Sequence, residues 1–289
     1  MEVISIIIYR SNTNSNEGFG YLENGNYKQT EGAKMKTITI ANQKGGVAKT
    51  TTALCIANGL QEVGYSVLMI DLDPQCNTTT TYQAQTDDTN TLYDLLHKKC
   101  TVQEAIQETE SGDIIAGDKN LAGIEGEFAS QLKNYSLLKK ALEEVSENYD
   151  FTIIDTPPNI GFYMTSALIA SDGVVIPIKA EKFAIDGLAQ IVSNIRDAQE
   201  AANENLKIYG VLLTVYDKRT ALDAIVHDQL PEIGEKEGFR VFDTSIRVCQ
   251  QVKEAQSRQV RLFDEYPNCN AAVDYANLIK ELLQEVKKG

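Results

Sequence analysis

The chain has 289 residues, 43% hydrophobic and 24% charged, which excludes a disordered or fibrous protein and allows one large domain or two small ones. Basic residues number 27 against 41 acidic, a formal charge of −14. That balance excludes a surface that attracts nucleic acid as a whole, so any DNA contact must come from a local basic patch.

Residues 1–34 open with a short apolar run (VISIIIYR, 3–10) and continue rich in Asn, Ser, Gly and Tyr, without a helical period. The run is too short for a membrane helix. Glu2 stands where a signal peptide needs positive charge. We expect this segment to be an N-terminal extension, either loosely held or adding an edge strand. From residue 35 to 289 the pattern is that of one domain. Candidate strands are 37–42 (TITIAN), 66–71 (SVLMID), 151–155 (FTIID), 173–178 (GVVIPI) and 208–214 (IYGVLLT). Each is a short apolar or β-branched run, as parallel strands covered on both faces require. Helical spacing marks 50–63, where Leu54, Ile56, Ala57 and Leu60 recur before Gly64, and also 183–201 and 270–286. Alternation of this kind predicts an α/β fold, a doubly wound and mainly parallel sheet with helices on both faces, whose ligands sit at the carboxyl ends of the strands. Five cysteines (Cys55, Cys76, Cys100, Cys249, Cys269) form no CxxC pair, which argues against a disulfide framework or a zinc site and for a reducing cytosol.

Three segments place chemistry at those strand ends. Residues 42–51 (NQKGGVAKTT) follow the first strand and open a helix. A glycine turn aims backbone N–H groups at a phosphate, and the helix N-terminus adds its positive end. Lys49 can reach terminal phosphates, and Thr50 can place a hydroxyl on Mg²⁺. The strict P-loop pattern fails at Gln43 and at Ala48, which stand where it has glycine. Asp71 and Asp73 leave the second strand at a spacing that puts both on one side of an extended chain. Asp155 closes the third, before Thr156-Pro157-Pro158, where an acid can hold Mg²⁺ through water.

KGGVAKTT resembles the deviant Walker A motif of the ParA/MinD family of ATPases, and the likeness runs over residues 36–286. The resemblance implies a P-loop NTPase fold with ATP and Mg²⁺ as cofactors. It assigns Lys44 to the signature lysine that reaches a partner's ATP in a sandwich homodimer, and Lys49 to the ordinary P-loop lysine. Gly45, Gly46, Val47, Ala48, Lys49, Thr50 and Thr51 then cradle the phosphates. Asp73 orients the attacking water and stands near the metal, with Asp71 behind it; Thr50 and Asp155 hold the metal. Pro177 and Thr214, at late strand ends, are candidates for the adenine side. Ala48 departs from the family's glycine and is tolerated only at negative φ. Catalysis by positioning and charge neutralisation implies a slow ATPase that a partner completes.

Within the family the sequence favours the DNA-partition branch, of the small type without an N-terminal helix-turn-helix. Residues 244–261 (TSIRVCQQVKEAQSRQVR) carry four basic side chains, Arg247, Lys253, Arg258 and Arg261, against one acid. They resemble the region implicated in non-specific DNA binding, with Arg219 a further candidate. The resemblance implies ATP-dependent DNA binding, association with the nucleoid in the ATP state, and a small centromere-binding partner, often of ribbon–helix–helix type. The alternatives are a MinD-like membrane-positioning ATPase and an ATP-coupled small-molecule ligase. The last helix lacks the Lys/Arg-rich polar face of a membrane-surface helix, so no membrane partner is expected.

Overall fold

The computed structural model describes residues 21–23, 26–28 and 34–288. Its first elements, β1 (Tyr21–Glu23) and β2 (Asn26–Lys28), pair antiparallel in a sheet of their own. The apolar run at 3–10, a candidate edge strand, lies outside the described residues.

The five expected strands form the centre of a seven-stranded sheet. They are β3 (Lys36–Ile40), β4 (Val67–Asp71), β7 (Phe151–Asp155), β8 (Gly173–Lys179) and β9 (Lys207–Thr214), all parallel. Two strands not expected, β5 (Ile106–Thr109) and β6 (Gly112–Ile115), extend one edge, with β5 antiparallel. The order is β5-β6-β4-β7-β3-β8-β9. At the other edge, residues 240–248 run along β9 through single bonds, such as Phe242 N–H to Val211 O at 3.0 Å and Ile246 N–H to Leu213 O at 2.8 Å.

Alternate side chains of each strand serve opposite faces. Ile38, Ile40, Val67, Met69, Phe151 and Ile153 pack on one face with α1 (Lys49–Glu62) and the last long helix, α12 (Asn270–Lys287). Also on that face are the short helices α10 (Gln250–Arg258) and α11 (Leu262–Glu265). The other face carries two clusters. Leu68, Ile70 and Ile154 lie under α3 (Leu92–Leu96), α4 (Val102–Ala105), α5 (Leu121–Ala129), α6 (Leu137–Glu144) and α7 (Phe162–Ala170). Val174, Ile176 and Val211 lie under α8 (Ala184–Ala201) and α9 (Ala221–Glu237). One further helix, α2 (Asn77–Thr81), follows β4 directly. No helix among the described residues is long and apolar enough to cross a membrane.

Candidate nucleotide site

Because the central strands are parallel, the loops after β3, β4, β7, β8 and β9 gather along one edge of the sheet. The loop after β3 is anchored by buried Asn42. Its amide donates to the Pro177 carbonyl at 2.7 Å, and its oxygen accepts from Lys44 N–H at 3.0 Å. Gly45 and Gly46 are exposed, and no atom lies within 4 Å of where a Cβ would stand on either. Among the described residues nothing accepts the N–H groups of Gly45, Gly46 or Ala48. Unpaired donors facing open space, at the start of α1, are the chemistry that an anionic phosphate completes.

Ala48 overturns the expectation of a negative φ. It sits at φ 61°, ψ 34°, in the left-handed region, as the residue preceding α1. The turn itself demands that geometry, and alanine adopts it against its Cβ. Three other non-glycine residues with positive φ also lie on loops at this edge: Cys76 after β4, Phe183 after β8 and Val215 after β9. These are four of the eight such residues among the described ones, the others being Gln83, Asp88, Lys98 and Gln259.

Two further expectations need correction. Thr214 is wholly buried, and its hydroxyl is shared between the Val47 carbonyl at 3.0 Å and the Ile178 carbonyl at 2.9 Å. Pro177 is buried within β8. Neither presents a surface to adenine; both brace the phosphate loop from beneath. Thr51 is also committed elsewhere, since its hydroxyl accepts from the Gln256 amide of α10 at 2.7 Å.

The lysines and carboxylates do converge. Buried Lys49 donates to the Lys44 carbonyl at 2.9 Å. Burial pulls its ammonium below the usual lysine value, and Asp155 and Asp73 oppose that pull. Lys44 stands at the mouth, its Nζ on the Phe183 carbonyl at 2.8 Å. Neighbouring Gln43 reaches the Gln190 side chain at 2.8 Å. Asp73 accepts from Gln75 N–H at 2.9 Å. Asp71 is fully buried and accepts from the N–H and hydroxyl of Thr79, at 2.8 and 2.7 Å, and from Asp73 N–H at 3.1 Å. It therefore holds the loop that carries Asp73. Burial pushes Asp71 well above the usual carboxylate range, with the Asp155 charge adding to it. Burial also pushes Asp155 up, against hydrogen bonds from Thr50 and Thr78.

Asp155 is the residue that best fits a metal. One oxygen takes the Thr78 hydroxyl at 2.8 Å, while Oδ1 is buried without any partner. An orphaned carboxylate oxygen beside the Thr50 hydroxyl suits hydrated Mg²⁺, which keeps several waters and needs oxygen acceptors. Bound there, Mg²⁺ would neutralise phosphate charge and favour the ionised form of both aspartates. Thr78, Thr79 and Asn42 were not singled out from the sequence; the only hint was the threonine run that follows the second strand.

The basic candidates do not share one exposed face. Arg261 is only 19% exposed at its side chain, pairs with Glu62 at 2.9 Å, and is held inside, away from any phosphate. That excludes it as a DNA contact in this conformation. Arg247 grips Asp274 with two guanidinium nitrogens, at 2.9 and 2.7 Å. Arg258 pairs with Glu265 but stays exposed. Exposed Lys253 has no ion pair among the described residues. Arg219 forms a fork with Asp217, at 2.9 Å from Nε and 2.6 Å from NH2.

A parallel sheet with a glycine loop between strand and helix, a buried lysine and an acid closing a neighbouring strand defines a P-loop ATPase. The comparisons narrow the class. The family described as AAA domain matches residues 35–208. The chain is 39% identical over 254 residues to the sporulation initiation inhibitor protein Soj of Bacillus subtilis, covering 86% of this chain and 98% of that one. It is 35% identical over 257 residues to the chromosome partitioning protein ParA of Caulobacter vibrioides, covering 86% and 94%. Among solved structures, cobyrinic acid a,c-diamide synthase of Mycobacterium smegmatis with bound ADP and magnesium aligns with TM-score 0.75 at 29% identity, covering 88% and 96%. Cyanothece McdA aligns with TM-score 0.77 at 25%, covering 86% and 99%. The chain belongs to the ParA/MinD-type ATPases and is a partition ATPase of the Soj/ParA kind, with ATP as substrate and Mg²⁺ as cofactor.

Proposed function

We propose that this ATPase is a DNA-segregation switch that forms a face-to-face homodimer with ATP, binds DNA without reading its sequence, and releases it when a centromere-bound partner stimulates hydrolysis. The carrying observation is Lys44. The site already has its phosphate lysine in Lys49, yet a second lysine stands at the mouth, half-exposed and held only by a backbone carbonyl. A lysine so placed is free to serve a nucleotide bound to a second copy. In the chain's own site, Lys49 and the loop N–H groups take the phosphate charge. Thr50 and Asp155 hold the metal, and Asp73 orients water.

For DNA, the reading keeps Lys253 and Arg258 on α10, with Arg247 able to join them by leaving Asp274. Phosphate contacts of this kind position without specifying sequence. The protein would be cytoplasmic and would sit on the nucleoid in its ATP state. Residues 35–289 form the ATPase domain and 1–34 an extension. The membrane alternative is disfavoured by the last helix, whose Leu278, Ile279, Leu282, Leu283 and Val286 are all buried in the core.

The test is retention on random-sequence duplex DNA with ATP, ADP or no nucleotide. Retention confined to ATP, and lost in Lys44→Ala together with the dimer, is expected. ATP-independent retention, or normal dimers in Lys44→Ala, would overturn the sandwich reading.

A further inference from the structure

On the sheet face opposite α1, the packing of α3, α4 and α6 leaves a cavity of about 410 Å³ open to solvent. That volume lies within the range of small-molecule pockets, ~300–1,000 Å³. Its floor is apolar. Leu96, Val102 and Leu138 are buried there, with Leu95 and Leu137 half-buried beside them. Three lysines also line it: Lys98 after α3, Lys133 in a short 3-10 turn (Leu132–Ser136), and Lys140 on α6. All three are exposed, and none has an ion pair among the described residues. Neighbouring Lys99, by contrast, is paired with Asp94 at 3.4 Å. Among the described residues the one acid on the lining is exposed Glu144, so the cavity is basic on a chain of net charge −14.

The backbone holds this rim in place. Lys98 stands at φ 57°, just past the end of α3. Its N–H donates to the Leu95 carbonyl at 3.0 Å, and Lys99 N–H donates to the Asp94 carbonyl at 2.9 Å, which closes a Schellman turn. Such a left-handed position favours glycine, yet a lysine occupies it. Thr101 and Glu104 then cap α4 reciprocally, at 2.8 Å from Thr101 N–H and 3.2 Å from Glu104 N–H. Water alone satisfies an exposed lysine, whereas a basic rim around an apolar floor matches a ligand with both an anion and a hydrocarbon chain. We propose that this cavity is a binding site for an anionic amphiphile, a single aliphatic chain ending in a carboxylate. The chain leaves water over Leu96, Val102 and Leu138. The carboxylate stays at the rim, where the lysine ammoniums pair with it. The cavity shares no lining residue with the nucleotide site or with residues 244–261, so it stands independently of the DNA reading.

The experiment titrates the full chain, without nucleotide, with sodium decanoate below its micelle concentration and reads the binding by isothermal titration calorimetry. Acetate and 1-decanol are the controls. Saturable binding of one decanoate per chain is expected, with 1-decanol weaker and acetate not bound. Cys100 also lines the cavity and is half-buried. Decanoate should therefore slow its alkylation by N-ethylmaleimide, followed by peptide mass spectrometry, and leave that of Cys249 unchanged. Lys98→Gly removes a charge where the backbone suits glycine, and Lys140→Gln removes a second. Each should weaken decanoate binding about two- to fivefold, the range for one exposed ion pair, with basal ATPase unchanged. No saturable binding, binding that leaves Cys100 as reactive as before, 1-decanol equal to decanoate, or full affinity in both lysine variants would overturn the proposal.

Discussion

Ala48 holds a left-handed conformation at φ 61° with a Cβ that glycine would lack. The left-handed region costs an L-residue roughly 1–2 kcal/mol, and part of that gain is returned because glycine is freer in the unfolded chain. Ala48→Gly should therefore stabilise the protein by about 0.5–1 kcal/mol, seen as a rise in the midpoint of chemical denaturation. A lower midpoint would mean that the methyl group packs usefully. Asp73 makes the complementary residue-scale prediction. Its neighbour Asp71 fixes the loop through Thr79 and the Asp73 N–H, so removing the Asp73 carboxylate leaves the scaffold standing. Asp73→Ala should cut ATP turnover by about 100-fold or more, the range for a group that handles the attacking water, while ATP still binds. Brisk turnover in that variant would remove Asp73 from the chemistry. The gathering of Lys44, Lys49, Asp73 and Asp155 at one edge of the sheet was legible because motif spacing places them at strand ends. The φ of Ala48 was not, because loop closure sets it. Thr78 and the bracing role of Thr214 were hidden for another reason: their partners lie 77 and 167 residues away in sequence.

Between elements, the consequential contact is that of α1 with α12 and α11. A Cβ on Gly59 would lie 2.1 Å from Ile279 Cδ1 and 3.0 Å from the Phe263 ring, both side chains fully or nearly fully buried. Neither can swing into solvent, so Gly59→Ala should destabilise by about 1–3 kcal/mol through overpacking. Unchanged stability in denaturant titrations would show that the helices can separate cheaply. The same helix α1 touches α10 through the Thr51–Gln256 hydrogen bond, one residue beyond Thr50. That bond ties the phosphate loop to the helix bearing Lys253 and Arg258. Gln256→Ala should leave basal ATPase intact and shrink the difference in DNA retention between ATP and ADP. An unchanged difference would place the coupling elsewhere. The five central strands and three long helices were legible because burial on two faces, or on one stripe, leaves a clear period. β5 and β6 escaped because IQET and GDII form an antiparallel edge pair with partly exposed positions. Residues 240–248 escaped because single bridges to β9 hold them, without a strand's alternation.

The whole molecule carries −14 charges, so the proposed DNA binding would rest on few cations against a repulsive background. Arg261 is spent on Glu62, and Arg247 is engaged with Asp274. Lys253 remains, and so does Arg258, exposed despite its pair with Glu265, two per chain and four in the proposed dimer. Each neutralised phosphate contributes about 0.9 to the slope of log affinity against log salt, so the dimer should show a slope of about −4. Over a fourfold rise in salt, that is a loss of roughly two orders of magnitude in affinity. All four sequence candidates acting in both copies would give a slope of about −7 instead. A salt series with the ATP-bound protein separates the two. Lys253→Ala should then flatten the slope by about 2, one contact from each copy, whereas Arg261→Ala should leave the slope alone and lower stability by exposing Glu62 to an unpaired, half-buried existence. A slope near −7, or one that Arg261→Ala flattens as much as Lys253→Ala does, would mean that the ATP dimer rebuilds this face and releases Arg261 from the core.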